Sequence, residues 1–444
     1  MAVLDGSVAN TALPRIARDL HASPAASIWV VNGFQLAVTM SLLAFAALGQ
    51  RRGPVRVYRL GIVVFVIGSL LCALARSLPF LILARIAQGF GASAIMAIGP
   101  ALLREIFPRR ELGRALGINA VVVATSAAAG PTLGGIVLAI APWPWLFALN
   151  VPFGLANVLL GRALPPGAAR AGRIDAASIL TSAFGFSLTI WGLDGFARAE
   201  PDWSIALRLV AGLGSLAWFV RQQFVMPQPM IALDLFKISA FSFAGATSFA
   251  TFTAQGIAFV ALPFFFQETL GRTPLESGLL LTAWPLSIAI VAPLAGRLSD
   301  RYPVGVLATA GLAVLTLGLG LYAHLSIDMP TWTIVAHGIV CGLGFGFFQS
   351  PNNRELIGSA PREKSASAAG LLAVIRVGGQ TVGVSLVAIV FGAFGASLAT
   401  AGAAREAVLH AAPPTLWLAC ACAGIATLAS GLRLLARPAE PVPG

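Results

Sequence analysis

The chain has 444 residues, of which 57% are hydrophobic and 10% charged, with a mean hydropathy of +0.86. Soluble chains carry about 25% charged residues, so a water-exposed globular domain is excluded and the bilayer is the solvent. The net charge of +12 reads as loop topology and not as nucleic-acid binding, because Lys and Arg accumulate in cytoplasmic loops and no basic run accompanies a soluble module.

The chain opens MAVLDGSVANTALP, with Asp5 among apolar and small residues. At 1.5 Å per residue, Met1 to Leu13 spans about 20 Å, against a hydrocarbon core of about 30 Å. The segment therefore reads as the second half of a membrane helix, truncated at its start, with Asp5 near mid-membrane. A start codon assigned at an internal Met is the simplest account, and a true deletion is the other.

A membrane helix needs about 20 apolar residues. Further spans are predicted at 27–48, 57–75, 80–103, 115–141, 145–165, 176–194, 204–224, 240–266, 276–296, 304–324, 331–350, 367–395 and 414–435. Alternate loops separate by charge: one set holds 20 of the 29 Lys and Arg, the other set 7, and Arg85 and Arg376 fall inside spans. The rich side is cytoplasmic, which places the C-terminus there in a multi-pass cell-membrane protein. The cysteines Cys72, Cys341, Cys420 and Cys422 lie in apolar segments and read as small packing residues. No loop carries a phosphate-binding Gly-rich motif, so no ATP-driven step and no cofactor is expected, and four scattered histidines make neither a metal site nor a membrane enzyme.

Two loops on the basic side repeat each other. LGQRRGPVRVYRLG carries Gln50 and Arg51, and AGRLSDRYPVG carries Gly296, Asp300 and Arg301. Repeats of this kind are typical of transporters built from two related halves. With these loops, the chain resembles the major facilitator superfamily. LILARIAQGFGASA, with Arg85 and Gln88, looks like its fourth-helix motif. SAAAGPTLGGIV, with Gly130, Pro131, Gly134 and Gly135, looks like its fifth-helix antiporter motif. VLDGSVANTALP, WPWLFALNVPFG and FGFFQSPNNRELIGSAP resemble the drug:proton antiporter branch with about fourteen spans. The first loop departs from the pattern, with Gln50 where an acid is usual.

The resemblance implies an all-α membrane protein of the major facilitator fold: two six-helix bundles with two inserted linker helices. The expected limits are 1–165 for the first bundle, 166–238 for the linker pair, 239–436 for the second bundle and 437–444 for a cytoplasmic tail. It also implies coupling and substrate roles for the acid and Arg that match Asp5 and Arg85. An ionisable group at membrane depth costs about 2.5–3.5 kcal/mol on insertion scales, so the pair is either a packing salt bridge or a proton site. Arg376 either snorkels to the cytoplasmic face or faces a cavity, with Gln380 one turn on. Asn10, Asn32, Gln35, Gln88, Asn119, Gln255 and Gln349 are polar residues within spans, read as cavity candidates or as interhelical hydrogen bonders. His337 reads as a packing residue, Asp194 as water-facing at an outer helix end, and Phe264 to Phe266 as pocket-lining or lipid-facing.

The function expected is a monomeric, proton-coupled transporter that exports small amphipathic compounds by alternating access. Its partners are a small-molecule substrate, the lipid bilayer and the proton gradient. A transporter of a specific metabolite and an inactive remnant are the alternatives.

Overall fold

The computed structural model describes residues 1–161, 164, 176–197, 200–226, 232–299, 301–361, 364–394 and 401–435. Asp300 and the tail 437–444 lie outside them, as does the expected start of the linker pair at 166. Among the described residues, eleven helices are long and apolar enough to cross a membrane, and the shorter apolar stretches Ala128–Ile140 and Pro144–Leu160 add to them.

The first half contains α1 (Ala2–Asp19), α2 (Pro24–Ser27), α3 (Trp29–Arg52), α4 (Pro54–Ala73), α5 (Leu78–Ile106), α6 (Arg109–Ile140), α7 (Pro144–Ala148) and α8 (Asn150–Leu160). A hairpin of α9 (Ala176–Ala197) and α10 (Asp202–Val225) follows. The second half contains α11 (Ser239–Phe264), α12 (Pro274–Leu298), α13 (Val304–Ala323), α14 (Thr331–Gly358), α15 (Ser365–Ala393) and α16 (Ala401–Leu435). Helix starts follow local chemistry. Thr273 and Glu276 form a reciprocal capping box ahead of α12, which satisfies two donors the helix cannot pair itself. Gly53, at φ 89°, turns the chain between α3 and α4, a left-handed conformation that a side chain would strain.

The two halves use one device twice. In the first, α4 crosses α5 so closely that a Cβ at Gly91 would lie 2.7 Å from the Gly61 carbonyl oxygen. In the second, α13 crosses α14 and a Cβ at Gly344 would lie 2.7 Å from the Gly311 carbonyl oxygen. Within a bilayer, small residues let backbones approach and gain dispersion that lipid tails do not out-compete. Between the halves, α6 packs on α12, α3 on α15 and α1 on α11, while α9 lies against both α3 and α15.

Four expectations from sequence are corrected. The first helix does not stop at Leu13: α1 runs through Pro14 to Asp19. One lost backbone bond at a proline is tolerated where neighbours re-satisfy the freed groups, and Arg15 pairs with Asp19 one turn on, at 3.0 Å. The span at 145–165 breaks at Leu149 into α7 and α8. The last span begins far earlier than 414, at Ala401, and carries Pro413 and Pro414 inside α16. Phe264, Phe265 and Phe266 face neither lipid nor a pocket; they are buried in the main apolar core. Just after α11 the chain continues in a π-helical turn, Phe265–Thr269.

Gly91→Val is expected to force α4 and α5 apart, at a cost of about 1–3 kcal/mol or more, and to lower the thermal denaturation midpoint in detergent by several degrees. Gly99→Ala, in the same helix with nothing within 4 Å of the added Cβ, is expected to leave the midpoint unchanged or slightly raised.

Candidate functional site

Asp5 sits in the first turns of α1, and its charge is met from two other helices, α5 and α8. Arg85 and Gln88 are three residues apart on α5, so both project toward α1. The Arg85 guanidinium pairs with Asp5 Oδ2. Gln88 Nε2 donates to Asp5 Oδ1 at 2.9 Å, and Asn150 Nδ2, at the start of α8, donates to the same oxygen at 2.7 Å. The second Gln88 N–H reaches Ser69 Oγ of α4 at 2.8 Å, and Gln88 Oε1 accepts from Arg85 Nη1 at 2.6 Å. Arg85 Nε donates to the Val30 carbonyl at 3.0 Å. The guanidinium lies over the Phe34 ring at 4.2 Å and the Phe147 ring at 5.3 Å. Asp5, Arg85 and Gln88 are buried.

The arrangement sets two amide donors and one cation against the carboxylate. It is also incomplete: Arg85 Nη2 is buried with no hydrogen-bond partner among the described residues. The cluster ties α1 to α4, α5 and α8.

The glycine motif of α6 stands beside the cluster. A Cβ at Gly134 would approach the Val8 carbonyl oxygen to 3.3 Å, and one at Gly130 would collide with Ser7. Both positions therefore seat α1. On its other side, a Cβ at Gly135 would lie 2.8 Å from the Pro274 carbonyl oxygen, and Gly278 of α12 abuts the Pro131 carbonyl. Thr132 and Thr282 share a 2.5 Å hydrogen bond across the same seam. The motif is the wedge through which α1 feels α12.

Polar bonds between the halves gather at the end where α1 finishes and α3 begins. Gln267 Nε2 donates to the Thr11 carbonyl at 2.9 Å, Arg18 pairs with Glu268 at 3.4 Å, and Asn32 Nδ2 donates to Ser385 Oγ at 3.0 Å. At the opposite end, bonds within each half are found. Arg59 donates to the Gly161 carbonyl at 2.7 Å, Arg354 to Ser299 Oγ at 3.0 Å, and Arg433 pairs with Glu355.

Of the residues singled out by sequence, Asp5, Arg85 and Gln88 meet in one cluster. Gln255 and Gln380 join at 3.1 Å between α11 and α15. The side-chain oxygens of Asn10, Asn32 and Gln35 are buried without partners among the described residues. Gln349, Arg376 and Arg51 are half-buried, and Asn119 and Arg301 are exposed. Gly296 packs against Ser350 within the second half. Gln50 lies in the last turn of α3, with its side chain outside the described residues, as is Asp300 altogether. His337 packs edge-on to Tyr322 at 5.6 Å. Asp194 is corrected: it is buried and accepts a hydrogen bond from Trp29 Nε1, because the hairpin folds back against α3.

Sequence reasoning missed Asn150, Ser69 and the two aromatic faces on Arg85. The run WLFALNVPFG offered the one usable signal, a polar amide at the break between two short apolar helices.

Removing Arg85 leaves a buried carboxylate without its cation, so Arg85→Leu is expected to destabilise by about 3–5 kcal/mol. Asp5→Asn keeps its neighbours hydrogen-bonded and costs less. The double variant Asp5→Asn/Arg85→Leu is expected to be more stable than Arg85→Leu alone, and thermal denaturation of the three purified variants reads this directly.

Comparison with known proteins agrees with the helical architecture. The Major Facilitator Superfamily matches over residues 1–384 and 243–443. The chain is 48% identical over 398 residues to the uncharacterized transporter YebQ of Escherichia coli (strain K12), covering 89% of this chain and 87% of that one. It is 33% identical over 385 residues to the riboflavin transporter RibZ of Clostridioides difficile (strain 630), covering 85% and 82%. Multidrug resistance protein Stp of Mycobacterium tuberculosis is 28% identical over 403 residues, covering 89% and 74%. The crystal structure of a bacterial homolog to the human lysosomal transporter Spinster superposes with a TM-score of 0.69 at 15% identity, over 99% of this chain and 96% of that one. The chain is a membrane transporter of the Major Facilitator Superfamily.

Proposed function

We propose that the chain is a proton-coupled antiporter that exports small amphipathic compounds across the cell membrane by alternating access. The observation that carries the reading is the buried Asp5–Arg85 pair, with the α6 wedge between it and the other half. A protonatable acid at membrane depth marks a proton path more often than a structural site. Protonation would release Arg85, loosen α1, and pass through Gly130–Gly135 to α12. In this reading fourteen crossings form: the eleven long apolar helices together with α1, α6 and the broken α7–α8. The C-terminus is cytoplasmic by loop charge, and one copy is the working unit. The bonded end is then the outer one, and the described state opens to the cytoplasm. Gln50 and Arg51 in the first loop, and Gly296, Asp300 and Arg301 in its repeat, would latch the inner end in the alternate state.

Drug-like cargo is supported by the likeness to Stp. A second reading, export or uptake of one metabolite, is favoured by the likeness to RibZ at 33% identity.

Two measurements test this. Inverted vesicles energised by an imposed pH gradient, without nucleotide, are expected to accumulate a fluorescent amphipathic substrate, and Asp5→Asn is expected to lose the pH dependence. Transport that requires added ATP sinks the proposal. At matched expression, Asp300→Asn is expected to impair transport strongly while Gln50→Ala is mild, because Asp can pair with Arg or a helix N-terminus as an ion and Gln cannot; equal losses would contradict the latch.

A further inference from the structure

We infer that the space between the halves recognises an anionic group, a carboxylate or comparable oxyanion, through Arg376 of α15. The inference rests on the transport reading only in taking this space as the substrate path.

The geometry of α15 sets the direction of Arg376. One edge of the helix faces α3: Thr381 bonds Thr39 at 3.3 Å and Ser385 bonds Asn32 at 3.0 Å. A second edge faces α11, where a Cβ at Gly379 would lie 2.7 Å from the Phe249 carbonyl oxygen and Gly383 abuts that of Thr253. At 3.6 residues per turn, Arg376 and Gln380 fall together between those edges. Gln380 bonds Gln255 of α11, which puts this strip on the side where α11 closes over it. Gln35 of α3, one turn from both Asn32 and Thr39, carries a buried side-chain oxygen with no partner among the described residues.

Depth removes the alternative that Arg376 simply reaches the membrane surface. Arg376 lies eleven residues after Ser365, the first residue of α15, or about 16 Å along the axis. That is about the middle of a 30 Å hydrocarbon core, beyond the reach of a snorkelling side chain.

Among the described residues, the charge there has no protein counter-ion. Arg376 forms no ion pair among the described residues, and α3, α11 and α15 contain no Asp or Glu at all. The acids nearest in kind are engaged elsewhere: Asp5 by Arg85, Glu268 by Arg18, Glu355 by Arg433. A cation kept at this depth without a partner is costly. It is suited to meet a ligand's negative charge, with the bonded Gln380–Gln255 amide pair one turn on along the same strip.

The test compares two probes matched in shape, 1-pyrenebutyrate and uncharged 1-pyrenebutanol, by quenching of tryptophan fluorescence in the purified full chain in lipid nanodiscs, with no proton gradient. Wild type is expected to bind the anion about tenfold more tightly than the alcohol, the difference a hydrogen-bonded charge makes. Arg376→Gln is expected to abolish that preference while keeping affinity for the alcohol, and Arg376→Lys to retain most of it. Equal affinities in wild type, no binding of the anion, or an unchanged preference in Arg376→Gln overturns the inference. The wild-type comparison needs no variant to fold. Preserved anion preference alongside failed pH-gradient transport would sink the antiport reading and leave this one standing; the reverse result would sink this one alone.

Discussion

The structure turns on one carboxylate. Asp5 is buried under Arg85 and receives hydrogen bonds from Gln88 and Asn150, so the first helix is bound to α5 and α8 through a charge and not through apolar contact alone. Taking such a pair out of water is expensive, and its mutual attraction offsets the cost only when the remaining polar atoms are satisfied. Here nearly all are: both Gln88 N–H groups and both Asp5 oxygens are engaged. The exception, Arg85 Nη2, leaves the cluster short of its most stable form, and a cluster in that condition is open to rearrangement.

What surrounds the pair explains why a change there would travel. The glycines of α6 bring the backbone of α1 close on one side and that of α12 on the other. Close-packed backbones move as rigid bodies. Among the described residues, polar bonds between the halves join α1 to the turn that follows α11, α3 to α15 and α6 to α12, and α9 touches both α3 and α15.

Much of this is legible in the sequence because the bilayer imposes simple rules. Apolar runs found the helices, and two residues charged at depth, Asp5 and Arg85, were conspicuous before their contact was known. Glycines in α6 were visible as a motif, but which faces they present depends on helix phase and neighbours. The failures share a cause: they are decided by tertiary packing. Pro14 looked like a helix end, yet the helix continues through it. Asp194 looked like a surface acid, yet a returning hairpin buries it against Trp29. Asn150 is missed, since nothing local distinguishes an amide that meets a charge from one that bridges two helices. Phe264 to Phe266 are apolar in either environment, so hydropathy cannot separate core from lipid.

The central claim is that Asp5 exchanges a proton while buried. Infrared difference spectroscopy of the full chain in lipid, titrated from neutral to acid pH, observes this directly, because a protonated carboxyl in an apolar site has its own carbonyl stretch, distinct from those of hydrated acids. The account expects such a band to grow on acidification in wild type and to be missing in Asp5→Asn. A band of unchanged size in Asp5→Asn, or none in wild type across the range in which transport responds to pH, would contradict it.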